Sequence, residues 1–411
     1  MEPVGVIGGE LVAQHLGRDQ RNLEPSGYPP VLSLVIPTLN EAANILPLLS
    51  RIYQAVGDIP TEIIFVDDSS DVTPKVIRTA AKDAPTKIVL VRRAPEHRQG
   101  GLGGAVMGGV ARARGEWVCV MDADLQHPPE LLRQLLTKGQ NSNCDIVIAS
   151  RYVPGGSAEG LGAAIRKGIS HASRWLARLL FVERLWSITD PCAGYFLVRR
   201  SLLRRAELRP SGFKILLEIL MRTDWEHVSE IPYRFEGRAG GQSKATLAQG
   251  FAFLRHVLKL WLEVPGAGRF WKFALVGASG VVVNMALLWL LAVVAEAYHW
   301  TAWAIAVEGS IIWNYLLNRN LTWADRLGKG RFWKEFGAYQ GVACVALFAN
   351  AAMFALMIEG LRLHVLSAGL VGTLGGILIN FVGADRLVFG RFFARSKLGA
   401  KRKEALSAEA E

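Results

Sequence analysis

Cysteine is scarce in this sequence of 411 residues, and its placement excludes the sites that cysteine usually builds. Cys119, Cys144, Cys192 and Cys344 have neither metal-ligand nor disulfide-framework spacing, which fits a reducing compartment. The first 29 residues also lack the basic segment and apolar core of a signal peptide. We therefore expect residues 1–29 to form a flexible N-terminal tail.

The apolar residues are distributed unevenly, and this separates two regions. The formal net charge is +11, and 51% of the residues are hydrophobic. Residues 30–264 have the composition of a soluble α/β domain, whereas residues 270–390 hold four apolar stretches near the roughly 20 residues of a bilayer span. Because Lys and Arg cluster beside those stretches, we expect the positive charge to meet a membrane surface, and we expect no nucleic-acid partner.

Three polar clusters follow short apolar runs in the first half of the chain. The runs resemble strands and alternate with helical segments, which predicts an α/β fold with a mostly parallel sheet and helices on both faces. The clusters are Thr38-Leu39-Asn40-Glu41, Asp67-Asp68-Ser69-Ser70 and Asp122-Ala123-Asp124-Leu125-Gln126. Ligands of such sheets bind beyond the carboxyl ends of the strands, where all three clusters occur. We expect the first strand to stop at Pro37.

The third cluster has the chemistry of a divalent-cation site. Asp122 and Asp124 project together only if the backbone leaves the strand pleat, and Gln126 offers a neutral oxygen beside them. A hard cation such as Mg²⁺ or Mn²⁺ binds one or two carboxylates together with substrate phosphates. The alternative is a solvated turn rich in aspartate, which is common for an isolated Asp-x-Asp sequence.

A glycine-rich segment, residues 100–104, precedes a predicted helix that ends at Ala113. No Gly-Lys-Ser/Thr sequence follows, which disfavours a Walker nucleotide-binding loop. The segment is either a flexible turn or a close approach of the backbone to a bound nucleotide-sugar, with Gly103 as the candidate contact. Arg151 follows a predicted strand at 145–150 and is either a diphosphate clamp or part of a surface ion pair.

Eight segments together resemble the inverting family 2 glycosyltransferases of the GT-A fold, and most closely the polyprenyl-phosphate sugar transferases of the dolichol-phosphate mannosyltransferase type. They are VIPTLNEAANI (35–45), IIFVDDSSDVT (63–73), GGLGGAVMGG (100–109), MDADLQHPPELL (121–132), ASRYVPGG (149–156), TDPCAGYFLVRR (189–200), FKILLEIL (213–220) and IPYRFEGRAGGQSK (231–244). The segments keep the family's order across most of residues 31–250.

The resemblance implies where a nucleotide-sugar and a lipid phosphate bind. It assigns the nucleoside to Pro37, Leu39, Glu41, Val66 and Asp68. It assigns the cation and the diphosphate to Asp122, Ala123, Asp124 and Gln126. It assigns the remaining contacts with the donor and acceptor phosphates to Arg151, Arg238 and Lys244. A divalent cation with Arg and Lys would stabilise the negative charge that develops on the leaving diphosphate.

The implied reaction moves mannose from GDP-mannose to a polyprenyl (dolichyl-type) phosphate at the cytoplasmic membrane face. The acceptor oxygen is already ionised, so no strong general base is needed. Asp190 and Glu218 are then candidates for positioning, although capping or ion pairing explains them equally well. The alternatives are a UDP-glucose-dependent glucosyltransferase and, from another class, a lipid-linked sugar flippase with a nucleotide-binding domain. A processive synthase is disfavoured because no Q-x-x-R-W motif occurs.

Two segments have the pattern of basic amphipathic helices that lie among lipid headgroups. The first has apolar residues at Ile165, Ile169, Ala172, Leu176 and Leu179, interleaved with Arg166, Lys167, Arg174 and Arg178. The second, at residues 245–264, has Leu247, Phe251, Leu254, Leu258 and Trp261. The alternative is that both stripes face the protein core.

We predict four membrane spans, at about 271–295, 301–318, 335–360 and 365–384, in a domain that resembles the GtrA-like membrane domain. Arg-Phe-Trp-Lys at 269–272 recurs at 331–334, an offset of 331 − 269 = 62. Asn314 recurs as Asn380, an offset of 380 − 314 = 66, so the domain is interpreted as a duplicated hairpin. The implied domains are 30–244 catalytic, 245–264 amphipathic, 265–392 membrane and 393–411 a basic and polar tail.

Basic residues gather at the two ends and in the middle loop of the membrane domain. They are Arg269, Lys272, Arg326, Lys329, Arg331, Lys334, Arg386, Arg391 and Arg395. The positive-inside rule then places both termini and the catalytic domain in the cytoplasm, with the spans in the plasma membrane. We expect Asn284, Asn314, Asn350 and Asn380 to form hydrogen bonds between helices. Glu308 should face the bundle interior or a partner.

Overall fold

The structure is a computed structural model that describes residues 29–161, 164–209, 212–237, 247–327 and 331–390. The chain divides into two compact units, Met1–Val264 and Pro265–Glu411. The C-terminal tail predicted at 393–411, nearly all of the tail predicted at 1–29, and the predicted phosphate-binding residues Arg238 and Lys244 lie outside the described residues.

A seven-stranded sheet forms the centre of the first unit. Its strands are β1 Leu32–Thr38, β2 Thr61–Asp67, β3 Lys87–Arg92, β4 Trp117–Val120, β5 Ile146–Ser150, β6 Phe196–Arg199 and β7 Val228–Pro232. The spatial order is β3-β2-β1-β4-β6-β5-β7. Every neighbouring pair is parallel except the two that involve β6, which runs antiparallel to β4 and β5. The predicted α/β class with a mostly parallel sheet is confirmed.

Nine helices of at least four residues accompany the sheet in the described part of this unit. They are α1 Ala42–Val56, α2 Thr73–Ala80, α3 Gly101–Val110, α4 Leu132–Asn141, α5 Ala164–Leu180, α6 Val182–Leu185, α7 Arg200–Arg205, α8 Ile215–Arg222 and α9 Leu247–Glu263. Helices cover both faces of the sheet, as the alternation of side chains along β1 shows. Leu34 packs in a core cluster with Ile45 and Leu48 of α1, whereas Val35 lies against Gly109 of α3.

Two predictions about local structure are wrong, one at the end of β1 and one in the glycine-rich segment. Pro37 does not end β1, which continues to Thr38. Val35 accepts a hydrogen bond from Met121 and so faces β4, and Pro37 has the same orientation, but β4 already ends at Val120. Pro37 has no N–H to donate, but no residue of β4 lies opposite it, so the sheet loses no hydrogen bond there. The glycine-rich segment is not a flexible turn, because α3 begins inside it at Gly101, and the helix ends at Val110 rather than at the predicted Ala113.

The predicted amphipathic stripes are exposed at most of their described positions. Leu176 and Trp261 are half-buried, and the side chains of Ile165 and Leu247 lie outside the described part of the structure. On α9, Phe251 is 73% exposed and Leu258 is 54% exposed, while Phe253, Val257 and Leu260 on another face are buried. On α5, Ile169 and Leu179 are exposed, and the buried contacts come from Ala177 and from Phe181 just after the helix.

The described part of the second unit contains four long helices, each extended by one π-helical turn. The helices are α10 Arg269–Trp289, α11 His299–Leu317, α12 Phe332–Ala355 and α13 Val365–Gly383. The π turns are Leu290–Val294, Asn318–Thr322, Leu356–Gly360 and Ala384–Val388. Three of these segments are long and apolar enough to span a membrane, namely Arg269–Val294, Phe332–Gly360 and Val365–Val388. The predicted count of four spans is not confirmed, because α11 carries Glu308, Asn314 and other polar residues that reduce its hydropathy.

The buried positions of this unit repeat with an offset of 66 residues. Phe273, Val276 and Gly280 are buried on α10, and Tyr339, Val342 and Ala346 are buried on α12, so that 339 − 273 = 342 − 276 = 346 − 280 = 66. Ala302 on α11 and Ala368 on α13 are related in the same way. The internal repeat therefore has the same 66-residue offset as Asn314 and Asn380. The Arg-Phe-Trp-Lys repeat has an offset of 62 and is displaced from the internal repeat by about one helical turn.

Polar contacts between these helices differ from those predicted. Oδ1 of Asn314 and Oδ1 of Asn380 are buried without a hydrogen-bond partner among the described residues. The bonds come instead from neighbouring residues, with Asn318 donating to the Tyr339 hydroxyl at 3.2 Å. Glu308 is exposed rather than interior, but it has a partner, which was the other predicted outcome: its Oε1 accepts a hydrogen bond of 2.5 Å from Gln340 on α12.

Candidate active site

The loops after β1 and β2 are joined by hydrogen bonds at the carboxyl edge of the sheet. Asn40 has a positive φ of 59°, and its Oδ1 accepts the Ser70 N–H at 2.9 Å. The Thr38 hydroxyl donates to Asp67 Oδ1 at 2.9 Å, and the Glu41 N–H donates to the Thr73 hydroxyl at 3.0 Å. The first two polar clusters therefore form one rigid border of the site, as their position after parallel strands predicts.

The nucleoside residues implied by the resemblance have different environments in this border. Leu39 is exposed, whereas Pro37 and Val66 are buried in their strands. Asp68 forms an ion pair with Arg93, whose Nε lies 2.9 Å from Asp68 Oδ1. Arg93 also donates to the carbonyl of Gly101 at 3.0 Å, so this unpredicted arginine joins the Asp68 loop to the start of α3.

Gly103 lies in the first turn of α3 and is buried. The segment enters the helix through Gly100, which has a φ of 77° that other residues rarely adopt. The N–H of Gly103 donates to the carbonyl of Gly212 at 2.9 Å. Its predicted contact with a nucleotide-sugar stays a prediction.

The Asp-x-Asp-x-Gln cluster forms a tight turn after β4. Leu125 has a positive φ of 63°, so the backbone leaves the pleat between the second aspartate and the glutamine. Asp124 Oδ1 accepts the Gln126 N–H at 3.2 Å. The side-chain amide of Gln126 donates to the carbonyls of Glu236 at 2.9 Å and Gly160 at 3.3 Å, which orients the amide and leaves its oxygen for a ligand.

The donor set of this turn fits a hard divalent cation. It comprises two carboxylates, of Asp122 and Asp124, and one amide oxygen, of Gln126. In the described part of the chain, no group of three or more His, Cys, Asp or Glu residues could hold a metal alone. An ion in this turn would therefore take its remaining ligands from substrate phosphates and water, which is how Mg²⁺ usually binds.

His127 stabilises the Asp-x-Asp-x-Gln turn, a role that was not predicted from the sequence. Its Nδ1 accepts the Asp122 N–H at 3.0 Å, so the ring must carry its hydrogen on Nε2. The imidazole stacks on Tyr195 with 5.1 Å between ring centroids, and Tyr233 and Phe235 present their edges to it. Burial lowers the pKa of His127 to about 4, so the ring is neutral at pH 7. The glycine at 194 permits this arrangement, because a Cβ there would lie 3.2 Å from His127 Cε1.

Arg151 and Asp190 form a buried ion pair beside the turn. The guanidinium donates to the carboxylate from Nε at 2.8 Å and from Nη2 at 2.9 Å. Burial disfavours the charged arginine, but the Asp190 carboxylate outweighs this effect and raises the pKa of Arg151. Glu230 on β7 holds the loop by accepting the N–H groups of Thr189 and Asp190. The alternative of a surface ion pair for Arg151 is wrong, since both partners are buried.

Glu218 connects the helices α8 and α9. Its Oε2 is 2.7 Å from His256 Nε2 on α9, and its Oε1 accepts a 2.6 Å hydrogen bond from Arg222. Ion pairing, one of the two explanations that its sequence context left open, therefore describes this residue.

Two family models match the chain and define its class. The model described as glycosyl transferase family 2 matches residues 33–206, which include the Asp-x-Asp turn and every strand of the sheet except β7. The model described as GtrA/DPMS transmembrane domain matches residues 272–389. The first unit is thus a family 2 glycosyltransferase domain, and the second is a membrane domain of the GtrA type, as the resemblance implied.

Comparison with curated proteins identifies the family more specifically. A dolichol-phosphate mannosyltransferase of Pyrococcus furiosus is 36% identical over 85% of this chain and 97% of its own length. The enzyme of the same name from Saccharomyces cerevisiae is 29% identical over 57% of this chain and 88% of its own. The chain belongs to the dolichol-phosphate mannosyltransferase family, and it is a glycosyltransferase and a membrane protein.

Solved structures align with part of the chain. Glucosyl-3-phosphoglycerate synthase of Mycobacterium tuberculosis aligns with a TM-score of 0.43 and 19% identity, over 58% of this chain and 81% of that protein. Mannosyl-3-phosphoglycerate synthase of Rubrobacter xylanophilus aligns with a TM-score of 0.44 and 19% identity, over 56% and 74% respectively. At these scores the likeness adds nothing about substrate or metal.

Proposed function

We propose that this protein transfers mannose from GDP-mannose to a polyprenyl phosphate, with inversion, at the cytoplasmic face of the plasma membrane. The observation that carries the proposal is the match to a dolichol-phosphate mannosyltransferase over 97% of that enzyme's length. The Asp-x-Asp-x-Gln turn supports it, because this turn offers oxygen ligands at the edge of the sheet where substrates bind.

Asp122, Asp124 and Gln126 would hold Mg²⁺ or Mn²⁺ through their side-chain oxygens. When bound, such a cation supplies positive charge next to the leaving diphosphate. The loops around Leu39, Glu41 and Asp68 would hold the guanosine, and their mutual hydrogen bonds keep the pocket preorganised.

The reaction needs no deprotonation by the protein. An oxygen of the ionised lipid phosphate attacks the anomeric carbon of mannose, and the bond from that carbon to GDP breaks as the new bond forms. Arg151 contributes charge beside the reacting groups, while Asp190 fixes the guanidinium through two hydrogen bonds. Asp190 is therefore a positioning residue in this proposal. Arg238 and Lys244 keep their predicted role in binding the two phosphates.

The exposed apolar residues of α9 would seat the first unit in the lipid interface. Phe251, Leu254, Leu258 and Leu262 occur at helical spacing and are each more than half exposed. We also propose that α11 crosses the bilayer with the three more apolar helices, which would place both termini in the cytoplasm. The basic residues Arg326 and Arg331 beyond α11 support this orientation.

A lipid-extraction assay tests the proposed activity. Purified protein in detergent is given radiolabelled GDP-mannose, polyprenyl phosphate and Mn²⁺, and label in the organic phase is counted. A parallel reaction with UDP-glucose tests the alternative donor. A flippase needs a sealed membrane, so transfer in detergent supports an enzyme. If neither donor labels the lipid, the proposal is wrong.

A further inference from the structure

Lys214 lies at the border of the active site, and the resemblance assigned it no role. It immediately precedes α8, and its Nζ donates to the carbonyl of Cys192 at 3.1 Å. Cys192 belongs to the loop of residues 190–194, whose first residue pairs with Arg151. The last residue of this loop, Gly194, lies beside Asp122, because a Cβ there would be 3.4 Å from Asp122 Oδ2. The ammonium group is therefore bound to a loop whose first residue contacts Arg151 and whose last residue lies beside Asp122.

The charge of Lys214 is not balanced by a direct partner in the described part of the protein. Arg151 has its own carboxylate in Asp190, at 2.8 Å. Lys214 forms no ion pair within 4.0 Å among the described residues, and Cys192 is the hydrogen-bond acceptor that it has there. One of its three N–H groups is thus used, and two remain for a ligand.

The surroundings of Lys214 make an anionic ligand favourable. Burial penalises the charged form of Lys214 and therefore lowers its pKa, and the nearby charge of Arg151 lowers it further. Asp190 and Asp122 attract the ammonium from farther away. The side chain is half-buried, and a cation partly removed from water without a direct counter-ion is destabilised, which a bound anion would offset.

We propose that Lys214 binds a phosphate group of a substrate, belonging either to the nucleotide diphosphate or to the lipid monophosphate. The inference rests on the proposed function, because that function brings both anions to this edge of the sheet. Lysine suits the role, since its ammonium is a point charge that adapts to a phosphate oxygen without fixed geometry. A purely structural role would be to hold the Cys192 carbonyl, and the two roles predict different measurements.

The experiment uses the full-length protein in maltoside micelles and two simple probes. Calorimetry measures the dissociation constants of inorganic pyrophosphate with Mn²⁺ and of dodecyl phosphate. The variants are Lys214→Gln and Lys214→Arg, and the control is Lys138→Gln, which removes an exposed lysine from α4. If the glutamine variant does not fold, Lys214→Met replaces it, because methionine keeps most of the side-chain length without the charge.

Lys214→Gln is expected to weaken at least one probe by roughly 10- to 100-fold, the range for one hydrogen bond to a charged group. Lys214→Arg should recover most of that loss, and Lys138→Gln should bind both probes as the wild type does. Loss confined to pyrophosphate assigns Lys214 to the donor, and loss confined to dodecyl phosphate assigns it to the acceptor.

Two outcomes overturn the inference. One is unchanged binding of both probes in Lys214→Gln, including the case in which only the melting temperature falls. The other is an equal loss in Lys214→Arg, which would show that charge is not what matters. The transfer assay separates this inference from the function. If the wild type transfers no mannose but binds pyrophosphate through Lys214, the proposed function fails while the phosphate site stands.

Discussion

At the scale of single residues, Asp124 has both a structural and a proposed chemical role. Its Oδ1 accepts the Gln126 N–H at 3.2 Å, and the side chain is nearly buried. Asp124→Asn keeps the size and an acceptor oxygen but removes the charge. We expect Mn²⁺-dependent mannose transfer to fall at least a hundredfold, because a cation contributes several kcal/mol to stabilising the leaving charge.

The matched control for this prediction is Asp83→Asn, which removes a carboxylate from an exposed loop. Its transfer rate and its dependence on Mn²⁺ should equal those of the wild type. Both quantities are measured by titrating Mn²⁺ into EDTA-treated protein. Wild-type activity of Asp124→Asn in that titration would contradict the cation site.

Residues differ in how far the sequence reveals them, and sequence separation explains the difference. The oxygen ligands of the Asp122–Gln126 turn lie within five consecutive residues, so their chemistry is visible without a structure. Asp190 and Arg151 are 39 residues apart, and their pairing depends on how β5 and the loop before β6 meet. His127 and Lys214 are less predictable still, because each forms its hydrogen bond with a backbone group, which has no sequence signature. His127 accepts the Asp122 N–H, and Lys214 donates to the Cys192 carbonyl.

At the scale of helices, the contact between α8 and α9 depends on a buried carboxylate. Glu218 faces His256 on α9, the backbone N–H of Arg209, and Arg222, which also pairs with Glu263. Burial opposes ionisation of Glu218, but the hydrogen bond from His256, the Arg209 N–H and Arg222 together lower its pKa below the usual 4.5. A carboxyl group with a lowered pKa stabilises the fold above its unfolded-state pKa, and this contribution is lost as the pH falls through the folded-state value.

We therefore expect acid to destabilise the wild type more than Glu218→Gln. At pH 7 the variant should be less stable by about 3 kcal/mol, the cost of breaking a buried pair. Below about pH 4.5, the unfolded-state pKa, its melting temperature should fall less steeply with decreasing pH than that of the wild type. Thermal unfolding followed by tryptophan fluorescence measures both quantities. Glu96→Gln, at an exposed position, serves as the control, and parallel curves for wild type and Glu218→Gln would refute the prediction.

The outer face of α9 gives a separate prediction about the lipid substrate. Replacing Leu254 and Leu258 by glutamate puts two charges on the exposed apolar ridge. Each leucine contributes about 1.5–3 kcal/mol when it is buried in an apolar phase. The KM for polyprenyl phosphate in nanodiscs should therefore rise at least tenfold, while GDP binding stays unchanged. Lys138→Glu on α4 introduces a charge elsewhere and should change neither quantity. An unaltered KM in the double variant would exclude contact of this ridge with lipid.

The amphipathic helices show where pattern alone is ambiguous. Periodicity identified the apolar stripes of α5 and α9 but could not tell a stripe that faces lipid from one that faces the core. The structure resolves this because α9 has two apolar faces, and Phe253 and Leu260 on one of them are buried. The stripe containing Phe251 and Leu258 is the exposed one. Local sequence thus identifies the element, and its partner in the fold determines which face is free.

At the scale of the whole molecule, the two membrane hairpins are repeats that carry opposite charges at two pairs of related positions. Arg319 Nε on the first hairpin lies 3.2 Å from Glu335 Oε2 on the second. The positions related by the 66-residue offset are 319 + 66 = 385 and 335 − 66 = 269, occupied by Asp385 and Arg269. If two copies of the first hairpin paired in this way, two arginines would meet, and two copies of the second hairpin would bring two carboxylates together. Pairing of the first hairpin with the second brings opposite charges together instead. The charge pattern thus favours pairing within one chain.

The helix α11 decides the topology of the whole chain. Its 19 residues extend for about 29 Å at the helical rise of 1.5 Å, which matches the hydrocarbon core, but its polar residues make insertion less favourable. The hydrogen bond from Gln340 to Glu308 and that from Trp313 to Ser279 satisfy part of this polarity. We therefore expect α11 to cross the membrane as part of the folded bundle.

Reporter fusions after Ala297 and after Leu327, on the two sides of α11, measure this crossing in a bacterial host. Alkaline phosphatase should be active after Ala297 and inactive after Leu327, where basic residues hold the loop in the cytoplasm. Green fluorescent protein should show the reverse pattern and should also fluoresce after Glu411. A fusion after Gly360, beyond the third helix, is the control and should behave as the fusion after Ala297 does. If the two fusions around α11 report the same side, the chain has three spans and its termini lie on opposite sides of the membrane.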